Sequence, residues 1–191
     1  MPRIPALRDD RVGPLLRLAY RYARHRFGRV PEPFAVLAHH PGLFWTTAVA
    51  ESLTERAATT LPAHLRDLAV VRVATRVGCS WCVDFGTMLA HRAGLDLEHL
   101  RRALADTVDT APEDPALDDL ERLVLRYADA MTAQPPEVTD ALVADLDARL
   151  GHRGLVELTH LVALENMRAR TYRALGILDQ GFAAECAVPQ P

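Results

Sequence analysis

Two cysteines three residues apart, Cys79 and Cys82, are the side chains whose type and spacing best suit chemistry in this sequence. On a helix that spacing puts both sulfurs on one face, near enough to exchange an intramolecular disulfide. Gly78 ends the apolar run before them, so Cys79-Ser80-Trp81-Cys82 is expected to open a new helix. In a first turn the unpaired backbone N–H groups and the positive end of the helix dipole favour the thiolate, the reactive form. This is the pattern of a dithiol redox centre. A zinc site would need two further ligands, and the sequence has no second C-x-x-C and no H-x-x-x-H pair, so no metal and no cofactor are expected. Buried structural cysteines are the other reading of the same spacing. The third cysteine, Cys186, stands alone near the end of the chain and reads as a spare thiol or a distant redox partner.

Other polar residues lie on apolar ground. Asp67 shares a helical row with Val71, Ala74 and Gly78, and a carboxylate on such a row needs a partner. An arginine or a helix N-terminus would satisfy it; a role in proton transfer is the alternative. Glu165 and Asn166 fall within ALENMRAR, and Asn166, the one Asn of the chain, reads as a polar contact between helices. Trp81, between the cysteines, reads as core in preference to a substrate wall.

The elements that must position these groups are helices. Helices are expected at about 14–28, 43–59, 63–77, 79–93, 96–106, 115–132, 137–150 and 154–175. Leu15, Leu18, Ala19 and Tyr22 form the apolar side of the first, and Arg17, Arg21 and Arg24 a solvated one. VPEPF breaks the chain after that helix. Gly94, Gly151 and Gly176 fall at helix ends, and Asp96 and Asp114 are candidate N-caps. TAPEDP at 110–115 is the best internal linker. Apolar and polar residues nowhere alternate as in a strand, so the fold class is all-α, with about eight helices in a single domain over 1–191.

Composition excludes several functions. The chain has 191 residues, a net charge of −3 and 49% hydrophobic residues. That charge argues against nucleic-acid binding. All 22 basic residues are Arg, a bias read as base composition and not as a phosphate-binding surface. No apolar run is long enough to span a membrane. The opening MPRIPALRDDRVGP is unlike a signal peptide, so a cytoplasmic protein with reduced thiols is expected. Three cysteines there are not a structural disulfide framework.

The segment LRDLAVVRVATRVGCSWCVDFG resembles the core motif of the alkylhydroperoxidase D / carboxymuconolactone decarboxylase family, and LVELTHLVALENMRARTYRALGI resembles its final long helix. The resemblance is strongest over 30–180. It implies an alkylhydroperoxidase D-like helical bundle, assembly into trimers or hexamers, a hydroperoxide substrate and an external dithiol reductant. By the same mapping Cys82 corresponds to the peroxide-attacking cysteine, Cys79 to the resolving one, and Asp67 to the family's acidic position. One position departs: the family's His, four after the second cysteine, is Gly86 here. His91 and Asp84 lie on other sides of the same helix, so a replacement base must come from elsewhere. Asp67, His160 and Glu165 are the candidates. The implied activity is thiol-dependent peroxide reduction. A redox-sensing or non-catalytic member that lost the His is the alternative, and muconolactone-type decarboxylation a weaker one.

Overall fold

The computed structural model describes residues 2–105 and 117–184. After a short 3-10 turn at Asp9–Arg11, eight α-helices follow: α1 Pro14–Phe27, α2 Glu32–Leu37, α3 Pro41–Ala57, α4 Ala63–Val77, α5 Ser80–Arg92, α6 Leu97–Ala105, α7 Asp119–Thr132 and α8 Asp140–Ala174. No strand occurs among the described residues, so the all-α expectation holds. The expected caps at Asp114 and Pro115, the 110–115 linker and Cys186 lie outside the described residues. No described helix is long and apolar enough to cross a membrane.

α4 is the centre of the bundle and packs against α5, α7 and α8. Its Leu65, Leu68, Ala69, Val71, Val73 and Ala74 are all buried, which accounts for a helix apolar on more than one side. One charge goes inside with them. Arg72 is 2% exposed and grips Asp129 of α7 through two hydrogen bonds, Nε to Oδ1 at 2.8 Å and Nη2 to Oδ2 at 2.6 Å. It also donates to the Leu104 carbonyl at 3.1 Å, so α4, α6 and α7 meet at one guanidinium. A buried pair adds little net stability, but leaving one partner alone costs about 3–5 kcal/mol.

Two expectations need correcting. On α1 the buried stripe is Leu16, Tyr20, Ala23 and Phe27, whereas Leu15, Leu18 and Tyr22 are exposed. Both stripes repeat every three or four residues; α2 and α3 cover the buried one at Leu16 and Tyr20, and α5 with Phe182 covers it at Ala23 and Phe27. VPEPF is not simply a break: its Glu32 opens α2, because a proline in the first turn forfeits no helical hydrogen bond. The expected boundary at Gly151 is real, since its φ of 67° and ψ of 165° interrupt α8 between its two lengths. Asp96 caps α6 by accepting from the His99 N–H at 2.8 Å.

Candidate active site

The site begins with the turn that joins α4 to α5. Gly78, at φ 75° and ψ 38°, adopts the left-handed conformation that glycine takes without a Cβ clash. Its N–H and that of Cys79 return to the carbonyls of Thr75 and Ala74, both at 3.0 Å. The chain therefore reverses sharply and delivers Cys79 as the N-cap of α5. The Cys79 sulfur accepts from the Cys82 backbone N–H at 3.3 Å, and the two sulfurs are 2.7 Å apart. Both are free thiols, 2% and 5% exposed. The expectation that both sulfurs share the first turn of one helix is met in this geometry.

The walls are apolar. Val36, Ala74, Ala169, Tyr172 and Ile177 pack around the pair. Trp81 stacks on Phe85 with centroids 4.7 Å apart and meets the edge of Tyr172 at 5.3 Å, while its indole N–H donates to Gln180 Oε1 at 2.9 Å. Trp81 is core, as its position suggested.

One acid enters this wall. Glu165 of α8 is 3% exposed, and its neighbourhood includes Cys82. Arg168 Nη1 donates to Glu165 Oε2 at 3.1 Å, and Arg168 Nε donates to Glu51 Oε1 of α3 at 2.7 Å. Glu165 Oε1 has no hydrogen-bond partner of normal geometry among the described residues, so its influence on Cys82 is chiefly electrostatic. Burial raises the Glu165 carboxyl above the usual range, against the pull of Arg168. The Cys82 thiol is pushed up by its hydrogen bond with Cys79, then by burial and by the Glu165 charge. Cys79 is lowered, first by the same hydrogen bond and against the opposing effect of burial.

The other candidates are placed elsewhere. Asp67 lies ten residues before the end of α4, about 15 Å along the axis from the turn that carries the sulfurs. Its Oδ1 is 3.5 Å from Arg66 Nε and its Oδ2 has no partner among the described residues. Burial raises its carboxyl, and Arg66 and His64 oppose that rise. His160 Nε2 reaches Thr54 Oγ1 at 3.5 Å, and His91 is exposed. Asn166 donates to Thr132 Oγ1 at 2.9 Å and so ties α8 to α7 as expected. Gly86 shows why no side chain stands at that position. A Cβ there would meet Val71 Cγ2 at 3.1 Å, where α5 presses on α4.

Three groups escaped the sequence reading. Glu51 and Arg168 complete the acid cluster, and only the Glu165–Arg168 spacing of three residues could have hinted at it. Asp84 is 8% exposed and accepts from the backbone N–H groups of Gln180, Phe182 and Ala183 at 2.9, 3.0 and 2.7 Å. It thus binds the segment after α8 across the outer side of α5.

Comparison with known proteins places the chain in a family and a fold. The Carboxymuconolactone decarboxylase family matches residues 44–133. The Escherichia coli K12 protein YnjA is 34% identical over 173 residues, covering 90% of each chain. A Mycobacterium tuberculosis protein named as an alkyl hydroperoxide reductase is 33% identical over 87 residues, 44% of this chain and 24% of that one. Among solved structures, an alkylhydroperoxidase AhpD core, peroxidase-related protein from Ralstonia eutropha JMP134 superposes with a TM-score of 0.83 at 17% identity, covering 99% of this chain and 98% of that one.

Proposed function

The chain belongs to the carboxymuconolactone decarboxylase family in its alkylhydroperoxidase D-like form, and from that premise we propose that it is a dithiol peroxidase working through Cys79, Cys82 and Glu165. The observation that carries the reading is the pair of free sulfurs 2.7 Å apart at the mouth of α5, with a buried carboxylate beside the second.

The Cys79 thiolate attacks the terminal oxygen of a hydroperoxide. The O–O bond breaks, Cys79 becomes a sulfenic acid, and the alkoxide leaves and takes a proton from solvent. Glu165 then accepts the Cys82 proton. The Cys82 sulfur attacks Cys79, the S–O bond breaks, and the hydroxide that leaves takes that proton from Glu165 as water. Both thiols are oxidised to one disulfide and the peroxide is reduced to alcohol and water. An external dithiol restores the pair by exchange. The family resemblance gives the attack to Cys82; the lowered Cys79 and raised Cys82 favour the reverse order here, because the thiolate is the nucleophile. Glu165, in place of Asp67 or a histidine at Gly86, is the proton carrier.

A homotrimer or hexamer in the cytoplasm belongs to the same reading. Leu15, Leu18 and Tyr22 of α1 and Leu43, Val49 and Leu53 of α3 are exposed apolar side chains that such an assembly would cover. Near-complete burial of both sulfurs favours one second reading, a redox sensor that reacts stoichiometrically and slowly.

The test is peroxide consumption with a dithiol reductant by wild type, Cys79→Ser and Cys82→Ser. Both variants are expected to lose turnover by at least about 100-fold, and a sulfenate-specific label should mark Cys79 in Cys82→Ser. Wild-type rates in either single variant would overturn the mechanism. A single stoichiometric oxidation without turnover would favour the sensor.

A further inference from the structure

The C-terminal ends of α4, α7 and α8 converge beside the site, and a cleft of about 670 Å³ opens between them. It is lined by Arg3, Arg76, Arg170 and Arg173 together with Thr132 and Gln134, and no acidic side chain among the described residues is in its wall. Part of this charge serves the helix ends. Arg3 donates to the Ala174 carbonyl, Arg173 to the Val77 carbonyl, and Arg170 to the Thr132 carbonyl at 3.4 Å. Three helix C-termini carry roughly half a negative charge each, which does not balance four guanidinium groups. Arg76 is 3.3 Å from Asp129, but Asp129 is already held by the buried Arg72. Arg3 and Arg173 each spend one nitrogen on a carbonyl and have two more with no partner among the described residues.

A second arginine-lined cleft provides the contrast. Arg17, Arg21 and Arg24 line a smaller hollow of about 310 Å³ along α1, and there Asp9 stands in the wall. Asp9 pairs with Arg24, and its carbonyl accepts from Arg17 Nε at 2.9 Å. Among the described residues the α1 hollow has an acid in its wall, whereas the one acid paired with the cleft, Asp129, lies outside its lining and is shared with the buried Arg72.

We infer that the cleft formed by Arg3, Arg76, Arg170 and Arg173 is a binding site for a small polyanion bearing two or more phosphate or carboxylate groups. Guanidinium groups recognise both oxyanions through paired N–H donors, and the volume lies within the usual range of small-molecule sites. The site adjoins the thiols without belonging to them. Val77 lines it two residues before Cys79, and the Arg173 guanidinium lies against Gly78. It stands or falls independently of peroxide chemistry.

Calorimetric titration of the full chain with pyrophosphate and, separately, with citrate in low-salt buffer tests the site. Saturable one-site binding of at least one anion is expected. A preference for pyrophosphate would assign phosphate esters as the ligand class, and a preference for citrate polycarboxylates. The double variant Arg76→Ala/Arg170→Ala should bind at least tenfold more weakly, and Arg170→Gln alone a few-fold more weakly. Arg17→Ala/Arg21→Ala should stay within twofold of wild type. No saturable binding of either anion would overturn the assignment, as would equal weakening by the α1 variant.

Discussion

Asp67 of α4 and Glu165 of α8 face the same physical problem. Each is an acid set among apolar helices, each is raised by burial, and each has one carboxylate oxygen without a hydrogen-bond partner among the described residues. They differ in what stands beside them. Asp67 has Arg66, its neighbour on the same helix, and keeps 16% of its side chain exposed. Glu165 is 4% exposed as a side chain, is steadied by Arg168, and neighbours the Cys82 thiol, whose proton the proposed mechanism removes. Burial and an orphaned oxygen therefore do not by themselves mark a catalytic acid.

The sharpest way to break this contrast is to neutralise each acid in turn. Glu165→Gln is expected to slow disulfide closure after a pulse of peroxide by about 100-fold, within the usual range of general-base assistance. Asp67→Asn should leave that rate within about twofold, as read by rapid-quench alkylation and mass spectrometry. Equal slowing by both variants would erase the distinction.

The rate of thiol alkylation against pH sharpens it next. In wild type the first thiol should ionise below the ordinary cysteine value and the second well above it. Glu165→Gln removes a negative neighbour and should bring the second ionisation down, whereas Asp67→Asn should move neither. A profile unchanged in Glu165→Gln would separate Glu165 from Cys82.

Stability gives a smaller signal that both acids share. Each holds its proton more tightly folded than unfolded. The stability this contributes is complete below the unfolded carboxyl pKa of about 4 and is lost as pH rises through the raised folded value. Urea midpoints from pH 4 to 8 should decline less steeply in Asp67→Asn and in Glu165→Gln than in wild type. A steeper decline in either would contradict the raised values.

The smallest effect belongs to Gly86→Ala, which should lower stability by about 1 kcal/mol through the contact with Val71, at the low end of the cost of overpacking. Gly86→His should cost more, because its Cβ meets the same Val71 methyl, and should not rescue Glu165→Gln. Rescue would show that the interface yields.

Much of the frame was legible because it rests on local rules. Gly78 and Gly151 mark turns that need a positive φ, Asp96 a cap, and the apolar run before Gly78 a buried helix. Cys79 and Cys82 were legible for the same reason, since three residues on a helix fix their separation. What failed was long-range. Leu15 and Leu16 begin two equally periodic stripes on α1, and only the positions of α2, α3 and α5 decide which is covered. Glu165 could be named as a candidate, but its place beside Cys82 could not be read, because their distance depends on how α8 crosses α5. Glu51 and Arg168, 117 residues apart in the chain, were out of reach for the same reason.

The cap that Cys79 provides for α5 acts on the equilibrium as well as on the rate. Its sulfur accepts the Cys82 N–H most strongly as a thiolate, so the helix start stabilises the reduced pair and loses that support on oxidation. A disulfide whose reduced form is favoured in this way is a comparatively oxidising one. Under the proposed mechanism a Cys79–Cys82 disulfide would therefore give up its bond readily to an external dithiol, a property suited to a centre that cycles and poorly suited to a permanent cross-link.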